Sequence, residues 1–189
     1  MNGTANNGEK QTRLHNHLNK WFEIVSRDYG MIEPGDRILI GVSGGTDSMV
    51  LLDLLRTPKY SITGDYSVLA AHVDLGFEGS GEDAALLESY LKDAAVDYVI
   101  DRTDIGPLAH SEVNRKNPCF LCSRLRRRRL FEIADARGCN KIALAHHRDD
   151  MIETLLLNMF YSREISTMMP MQQIFGGTLH IIRPLAYIR

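Results

Sequence analysis

The sequence has no long hydrophobic run, few cysteines and little net charge. No apolar segment approaches the roughly 20 residues of a membrane-spanning helix, and the polar residues 1–10 lack the apolar centre of a signal peptide. We therefore expect a cytoplasmic protein without a membrane partner, in which residues 1–10 form a frayed tail. A formal charge of −2 argues against non-specific coating of nucleic acid, but it leaves room for a local RNA-binding face.

Cysteine occurs only at Cys119, Cys122 and Cys139. These residues are too few and too clustered for the disulfide framework of a secreted protein, so we interpret them as reduced thiols. Cys119 and Cys122 have the spacing C-x-x-C, which on its own also fits half of a zinc site or a redox pair. Cys139 lies near a predicted helix end, and we interpret it as structural.

The composition is that of a globular protein, with 44% hydrophobic and 24% charged residues. A chain of 189 residues fits a single domain around one sizeable core. Apolar residues recur at helical spacing between positions 14 and 25. We therefore divide the chain into residues 1–30, a tail and a helix, and residues 31–189, which form the domain itself.

Short β-rich runs alternate with helical patterns along the domain. The predicted strands cover residues 37–42, 67–73, 97–101, 141–145 and 180–182, and the predicted helices cover residues 47–55, 83–94, 122–136 and 149–160. This alternation indicates an α/β fold with a doubly wound, parallel, five-stranded sheet. Residues 103–118 show little periodicity and are predicted to form a long loop. Met168 to Met171 are interpreted as loop or packing material.

A glycine-rich segment joins the first predicted strand to the first following helix. It reads Ser43-Gly44-Gly45-Thr46-Asp47-Ser48. The two glycines allow a tight turn that exposes backbone N–H groups, the serines add hydroxyl donors, and the helix N-terminus adds a favourable dipole. The segment predicts a polyphosphate site, although it has neither the spacing nor the lysine of the P-loop.

Charged and imidazole side chains are concentrated at the end of the fourth predicted strand. His146, Asp149, Asp150 and Glu153 lie there, and the acids would occupy the first turn of the next helix, where the dipole favours carboxylates even without a ligand. The same groups can bind magnesium and a nucleotide. We favour the functional interpretation, because ligands of such sheets lie at the carboxyl ends of the strands.

These motifs carry a resemblance to known proteins. The unbroken S-G-G-x-D-S segment resembles the PP-loop ATP pyrophosphatases, which have the adenine nucleotide alpha hydrolase-like fold. Residues 118–127, 141–150, 153–161 and 182–187, together with that segment, look like the tRNA 2-thiocytidine synthetases. The similarity extends from about Arg37 to the end of the sequence.

The resemblance implies an ATP-dependent tRNA sulfurtransferase. Such an enzyme adenylylates O2 of a cytidine in the anticodon loop, releases pyrophosphate, and then replaces AMP by sulfur to form 2-thiocytidine. It implies ATP, Mg²⁺ and a 4Fe-4S cluster as cofactors and tRNA as partner. It also implies a sulfur donor, either a cysteine desulfurase or another persulfide source, and it suggests a homodimer.

The resemblance also implies roles for particular residues. The catalytic residues would be Asp47, Cys119, Cys122 and Asp150. ATP would contact Ser43, Gly44, Gly45, Thr46, Asp47 and Ser48, with His72, Asp74 and His146 around the nucleotide. Cys119 and Cys122 would hold the cluster, and Asp149, Asp150 and Glu153 would bind magnesium. For His72 and Asp74, an ordinary strand end is an equally good interpretation.

The sequence departs from this family at its carboxyl end. Family members continue beyond the Arg183-Pro184-Leu185 segment and supply a further cluster cysteine, whereas two thiolates are an incomplete ligand set. We expect that this chain lacks a C-terminal extension. The alternatives are that another chain or a small thiol completes the site, or that the cluster is absent.

Two other functions remain open. A tRNA lysidine synthetase-like ligase would use the same loop to attach an amine, but it needs no cysteine pair. A regulatory module would bind ATP without turnover. The arginines Arg124 and Arg126 to Arg129 adjoin the cysteine pair, and they predict contact with RNA phosphates, with a solvated helix face as the alternative.

Overall fold

The structure is a computed structural model that describes residues 3–57, 65–114 and 116–189, with side chains described from residue 13 onward except at position 113. The helices are α1 (Gly3–Asp28), α2 (Thr46–Arg56), α3 (Ser80–Asp93), α4 (Ile105–Ala109), α5 (Pro118–Ala136) and α6 (Arg148–Leu157). The strands are β1 (Arg37–Gly41), β2 (Ser67–Asp74), β3 (Asp97–Arg102), β4 (Lys141–Ala143), β5 (Met171–Ile174) and β6 (Leu179–Ile182). Helix α6 continues into a π-helical turn over Asn158–Ser162.

The sheet has the order β3-β2-β1-β4-β6-β5, and all neighbouring strands are parallel except β5 and β6. The chain winds outward from β1 in one direction and from β4 in the other. The strand order therefore reverses between β1 and β4, where a ligand crevice is expected. The predicted doubly wound α/β fold is confirmed. Of the described helices, none combines the length and apolar character needed to cross a membrane.

The predicted number of five strands is wrong, because β5 is a sixth strand at the edge of the sheet. Met171 belongs to this strand and not to a loop. Its short Met-Gln-Gln-Ile sequence pairs antiparallel with β6, and the two glutamines are exposed. An edge strand with so little apolar alternation gives a weak signal in the sequence.

The core lies on both faces of the sheet because successive strand residues point to opposite sides. Ile38 and Ile40 of β1 pack into the cluster that contains Phe22 of α1. Leu39, between them, packs on the other face with Leu130 of α5. The uninterrupted apolar run that predicted a buried strand is thus divided between two layers of helices.

A buried ion pair lies at the amino-terminal edge of the sheet. Lys141 Nζ is 2.7 Å from Asp36 Oδ2, and the two side chains are only 2% and 4% exposed. Asp36 also accepts hydrogen bonds from Asn140 Nδ2 and from the Glu33 N–H, both at 2.7 Å. Burial alone would raise the pKa of Asp36, but these donors outweigh it and hold the pKa below its ordinary value.

Two segments differ from their predictions. The frayed tail is wrong for residues 3–10, which are helical in α1, while Met1 and Asn2 lie outside the described residues. Once the packed half of a helix has formed, polar turns can extend it at little cost in free energy, because each added residue contributes a further backbone hydrogen bond. The predicted loop at 103–118 contains α4 and a 3₁₀ turn at Glu112–Asn114, with residue 115 outside the described range.

Candidate active site

A cavity of about 540 Å³ lies over the carboxyl ends of β1 and β4. Five segments that are distant in sequence form its walls: the loop after β1, the corner after β2, His110 at the end of α4, the first turns of α5 and the segment after β4. The main lining residues are Ser43, Gly45, Asp47, Ser48, Leu75, Phe77, His110, Cys119, Cys122, Ser123, Arg126, Arg127, His146 and Asp150. The cavity therefore lies at the switch point expected from the strand order.

The loop after β1 is held by its own serines. Ser48 Oγ donates to the Gly45 carbonyl at 2.8 Å and accepts from the Ser43 N–H at 3.2 Å. Gly44 has φ +85°, a conformation that glycine adopts without strain. No described side chain caps α2, so the N–H groups of its first turn remain available to an anion. Gly44 and Thr46 belong to the loop but do not line the cavity.

The helix that carries the cysteine pair begins four residues earlier than the predicted start at residue 122. Helix α5 begins at Pro118, and Cys119 and Cys122 therefore occupy its first turns. Cys119 is exposed, Cys122 is half-buried, and both line the cavity. Cys139 is buried in the core, where desolvation raises the pKa of its thiol. Burial makes Cys139 an inert thiol, so the accessible thiols are those of Cys119 and Cys122.

The carboxylates after β4 are not equivalent. Asp150 lines the cavity and accepts a hydrogen bond from the His147 N–H at 2.8 Å, while His147 Nδ1 accepts from the Asp149 N–H, which completes a capping box on α6. Asp149 and Glu153 are exposed and do not line the cavity. Among the described residues, no group of three or more His, Cys, Asp or Glu is arranged to hold a metal ion. Asp47 and Asp150 are thus the carboxylates on the cavity wall.

His146 projects into the same cavity in an unusual electrostatic setting. Its Nδ1 is buried and has no hydrogen-bond partner among the described atoms. Burial lowers the pKa of His146, and the nearby positive charge of Arg183 lowers it further, against a smaller opposing effect of Asp150. This setting favours the neutral form of the imidazole.

His72 and Asp74 have structural partners and do not line the cavity. His72 Nδ1 lies 2.8 Å from the Val42 carbonyl and donates to it. Asp74 accepts from Ser80 Oγ at 2.6 Å and from the Gly76 N–H at 3.0 Å. Burial opposes ionisation of Asp74, but these donors hold its pKa below the ordinary value. The two residues shape the corner after β2, and their contact with a nucleotide stays a prediction.

The arginine run divides into two groups. Arg128 pairs with Glu132 at 2.8 Å, and Arg129 forms a two-pronged pair with Asp101 at 2.8 and 2.9 Å. Arg124, Arg126 and Arg127 form no ion pair with a described acid, and Arg126 and Arg127 also line the cavity. The prediction of RNA contact therefore applies to the arginines that have no carboxylate partner in the fold, and no longer to the whole run.

Sequence reasoning missed several residues of the site. Phe77 and His110 line the cavity, with ring centroids 5.4 Å apart. Arg183 is buried beside His146 and donates to the Met169 carbonyl at 2.5 Å. Arg183 could have been found in the Arg-Pro-Leu segment that carried the resemblance. Phe77 and His110 had no such signal, because only the folded chain brings them together.

Comparison with known proteins gives concordant matches. The family described as a PP-loop domain matches residues 9–189. A tRNA-cytidine(32) 2-sulfurtransferase from Tolumonas auensis is 39% identical over 183 residues, covering 96% of this chain and 59% of that protein. The protein of the same name from Neisseria meningitidis serogroup A is 43% identical over 167 residues, covering 86% and 50%. The chain thus spans about half the length of the curated relatives it matches.

Two solved structures share the architecture. The U34-tRNA thiolase NcsA from Methanococcus maripaludis, solved with its [4Fe-4S] cluster, superposes with a TM-score of 0.69 at 23% identity, over 90% of this chain and 58% of that one. The NH3-dependent NAD synthetase from Campylobacter jejuni superposes with a TM-score of 0.53 at 16% identity, over 93% and 68%. At these identities, the likeness establishes a shared fold.

Proposed function

Because the chain belongs to the PP-loop domain family, we propose that it catalyses ATP-dependent thiolation of a cytidine in the anticodon loop of tRNA. Its curated relatives are named tRNA-cytidine(32) 2-sulfurtransferases. The chain spans about half of the length of these relatives, so the proposal rests on the chain's own site as well as on its similarity to them.

One observation carries the proposal: the Ser43–Ser48 loop and the pair Cys119 and Cys122 line the same cavity. A loop of open N–H groups at a helix N-terminus suits a polyphosphate. Adenylylation by itself needs no thiol, so a lysidine synthetase-like ligase leaves the cysteine pair without a role. A regulatory module that only binds ATP leaves both the cysteines and the free arginines unexplained.

The first half-reaction uses the β1 side of the cavity. The loop N–H groups and Ser48 bind the β and γ phosphates of ATP. Asp47 and Asp150, the carboxylates on the cavity wall, would hold Mg²⁺, which would offset the negative charge of the phosphates. O2 of the unstacked cytidine attacks the α phosphorus, the bond to the bridging oxygen breaks, and pyrophosphate leaves. The neutral His146 and the loop donors stabilise the charge that develops on the phosphoryl oxygens.

The second half-reaction uses the α5 side. A sulfur nucleophile held at Cys119 and Cys122 attacks C2 of the activated base, and the C2–O bond breaks as AMP leaves. The two thiolates fit part of an iron–sulfur ligand set, which normally contains about four cysteines, and the described residues offer no third ligand beside them. A cluster bound there would present sulfur to the base. We assign the other ligands to groups outside the described residues.

The supply of sulfur follows from the same chemistry. Cys119 and Cys122 are free thiols on the cavity wall, where sulfur from a donor would reach them. We therefore propose a cysteine desulfurase or another persulfide source as the donor, with an external thiol that supplies the two electrons needed to reduce the persulfide sulfur to the sulfide level. We also propose the cytoplasm as the location. A homodimer stays a prediction.

The test is anaerobic incubation of the chain with ATP, Mg²⁺, a sulfide source and a hairpin RNA with a cytidine-containing loop. Nuclease digestion and mass spectrometry would detect 2-thiocytidine, and AMP would be measured in parallel. We expect Cys119→Ala to abolish 2-thiocytidine while ATP binding persists. Cys139→Ala is the matched control, since that thiol is buried away from the cavity, and it should retain thiolation. Retention of thiolation in Cys119→Ala would contradict sulfur delivery at the pair.

A further inference from the structure

An aromatic pair lies on the cavity wall without a role in the chemistry described so far. The rings of Phe77 and His110 are 5.4 Å apart and meet edge to face at 74°. Phe77 is 43% exposed and His110 is also exposed, although both line the cavity. Both rings are therefore presented to whatever enters the cavity.

The backbone beneath Phe77 fixes the position of its ring. A Cβ at Gly106 would lie 2.7 Å from Phe77 Cζ and 2.8 Å from Cε2, so the ring rests directly on the main chain of α4. At Gly76, φ is +74° and a Cβ would collide with the Thr103 carbonyl. Asp74 ties this corner to Ser80 and to the Gly76 N–H. The exposed face is therefore preorganised, which lowers the entropic cost of binding a planar ligand.

The pair is also close to the sulfur chemistry. His110 directly follows α4, and α4 packs against α5, whose first turns carry Cys119 and Cys122. The polyphosphate loop lies on the β1 side of the cavity. A base whose C2 must meet sulfur has to lie near α5, and the free cations Arg126 and Arg127 on that helix suit the flanking phosphates.

We propose that the Phe77 ring, with His110 packed against it, is a stacking platform for the pyrimidine that is to be thiolated. The platform holds the base after it has left its own stack, since single-stranded bases are held on aromatic faces by proteins that recognise RNA loops. The inference rests on the proposed function and extends it, because it states which surface selects the target base. The adenine of ATP is the competing occupant.

The experiment measures binding of two fluorescent hairpin RNAs to the full chain by anisotropy. One hairpin carries a cytidine in its loop, and the other has an abasic site at that position. ATP affinity is measured separately by calorimetry. We compare wild type with Phe77→Leu, which keeps apolar volume but removes the aromatic face, and with His110→Ala. Tyr90→Leu is the matched control, since Tyr90 on α3 is similarly exposed at 45% and does not line the cavity.

We expect Phe77→Leu to weaken binding of the cytidine hairpin about 5- to 100-fold, which corresponds to the loss of one base–aromatic stack. Binding of the abasic hairpin and of ATP should change less than about twofold. His110→Ala should weaken the same hairpin selectively, and this second variant decides the matter if Phe77→Leu does not fold.

Other outcomes separate the possible failures. Weaker ATP binding with unchanged hairpin binding would assign the platform to adenine and overturn the inference. Equal binding of the cytidine and abasic hairpins by wild type would overturn it as well, while ATP binding and Cys119-dependent chemistry could still stand. A wild-type chain that does not bind ATP would contradict the proposed function itself.

Discussion

Lys141 and Asp36 show how a single buried pair supports the sheet. The lysine is the first residue of β4, and its carboxylate partner directly precedes β1, so the pair joins two central strands at their amino ends. Glu33, at 3.5 Å, is a second and exposed partner of Lys141. In the sequence both residues look like ordinary charged strand flanks, because nothing in a linear pattern distinguishes a buried ion pair from two solvated charges.

We expect Lys141→Met to destabilise the fold by about 3–5 kcal/mol, because the substitution leaves Asp36 buried without its cation. Urea denaturation followed by circular dichroism measures the loss. Lys92→Met is the matched control, since the pair of Lys92 with Glu88 lies on the surface of α3, and its loss should be much smaller. Similar losses in the two variants would show that burial does not set the strength of the Lys141 pair.

His146 links the site to pH. Because its pKa is lowered in the folded chain, the unfolded chain takes up a proton first as the pH falls below the ordinary value of 6.5. Folding stability from this residue is therefore present above about pH 6.5 and decreases below it. We expect His146→Gln to reduce the fall in the free energy of unfolding between about pH 7.5 and 5.5. The same slope in wild type and His146→Gln would contradict this assignment.

Among the helices and strands, those with uninterrupted apolar runs are the ones that the sequence predicts most reliably. β1 and β2 were predicted nearly in full because Ile38, Leu39 and Ile40 can only be buried, whichever helix covers them. β5 and α4 were missed for the opposite reason. An edge strand needs apolar residues on one side at most, and α4 is a single turn that contains Gly106 and Pro107. Tertiary contacts, which the local pattern does not record, stabilise both elements.

A substitution at Gly106 tests the close contact between the Phe77 ring and α4. Gly106→Ala would place a methyl group against the Phe77 ring and against the Leu75 carbonyl at 2.9 Å. We expect a loss of about 1–3 kcal/mol from overpacking, measured by urea denaturation. Gly81→Ala in α3 is the control, since a Cβ there meets nothing within 4 Å and alanine favours the helix. Equal stability of the two variants would contradict the close contact between Phe77 and α4.

In the whole molecule, the site is assembled from five segments that are separated in the sequence. The loop at Ser43–Ser48 and the strand end at His146 could be predicted because each carries its chemistry in contiguous residues. The magnesium assignment could not be resolved among Asp149, Asp150 and Glu153, since which carboxylate faces the cavity depends on the start and rotation of α6. Phe77 and His110 are 33 positions apart in the sequence numbering, and folding alone makes them neighbours.

Binding of ATP should stabilise the molecule as a unit. At a free ATP concentration about 100 times Kd, the expected gain is about 2.7 kcal/mol, which for a chain of this size raises Tm by roughly 5–10 °C. Differential scanning calorimetry with Mg²⁺ measures the shift, and adenosine, which lacks the polyphosphate, is the matched ligand control. A shift of the same size with adenosine would contradict the assignment of the Ser43–Ser48 loop to phosphate.

Different groups lie at the two ends of the parallel strands. The Lys141–Asp36 pair joins the amino ends, and the cavity residues lie at the carboxyl ends. Distant substitutions without shared partners usually act independently. Changes in the cavity therefore leave the scaffold's main polar support untouched. Substitutions in the loops at the carboxyl ends can therefore change the substrate while the fold stays stable. The stability provided at the amino ends of the strands thus allows the cavity to evolve.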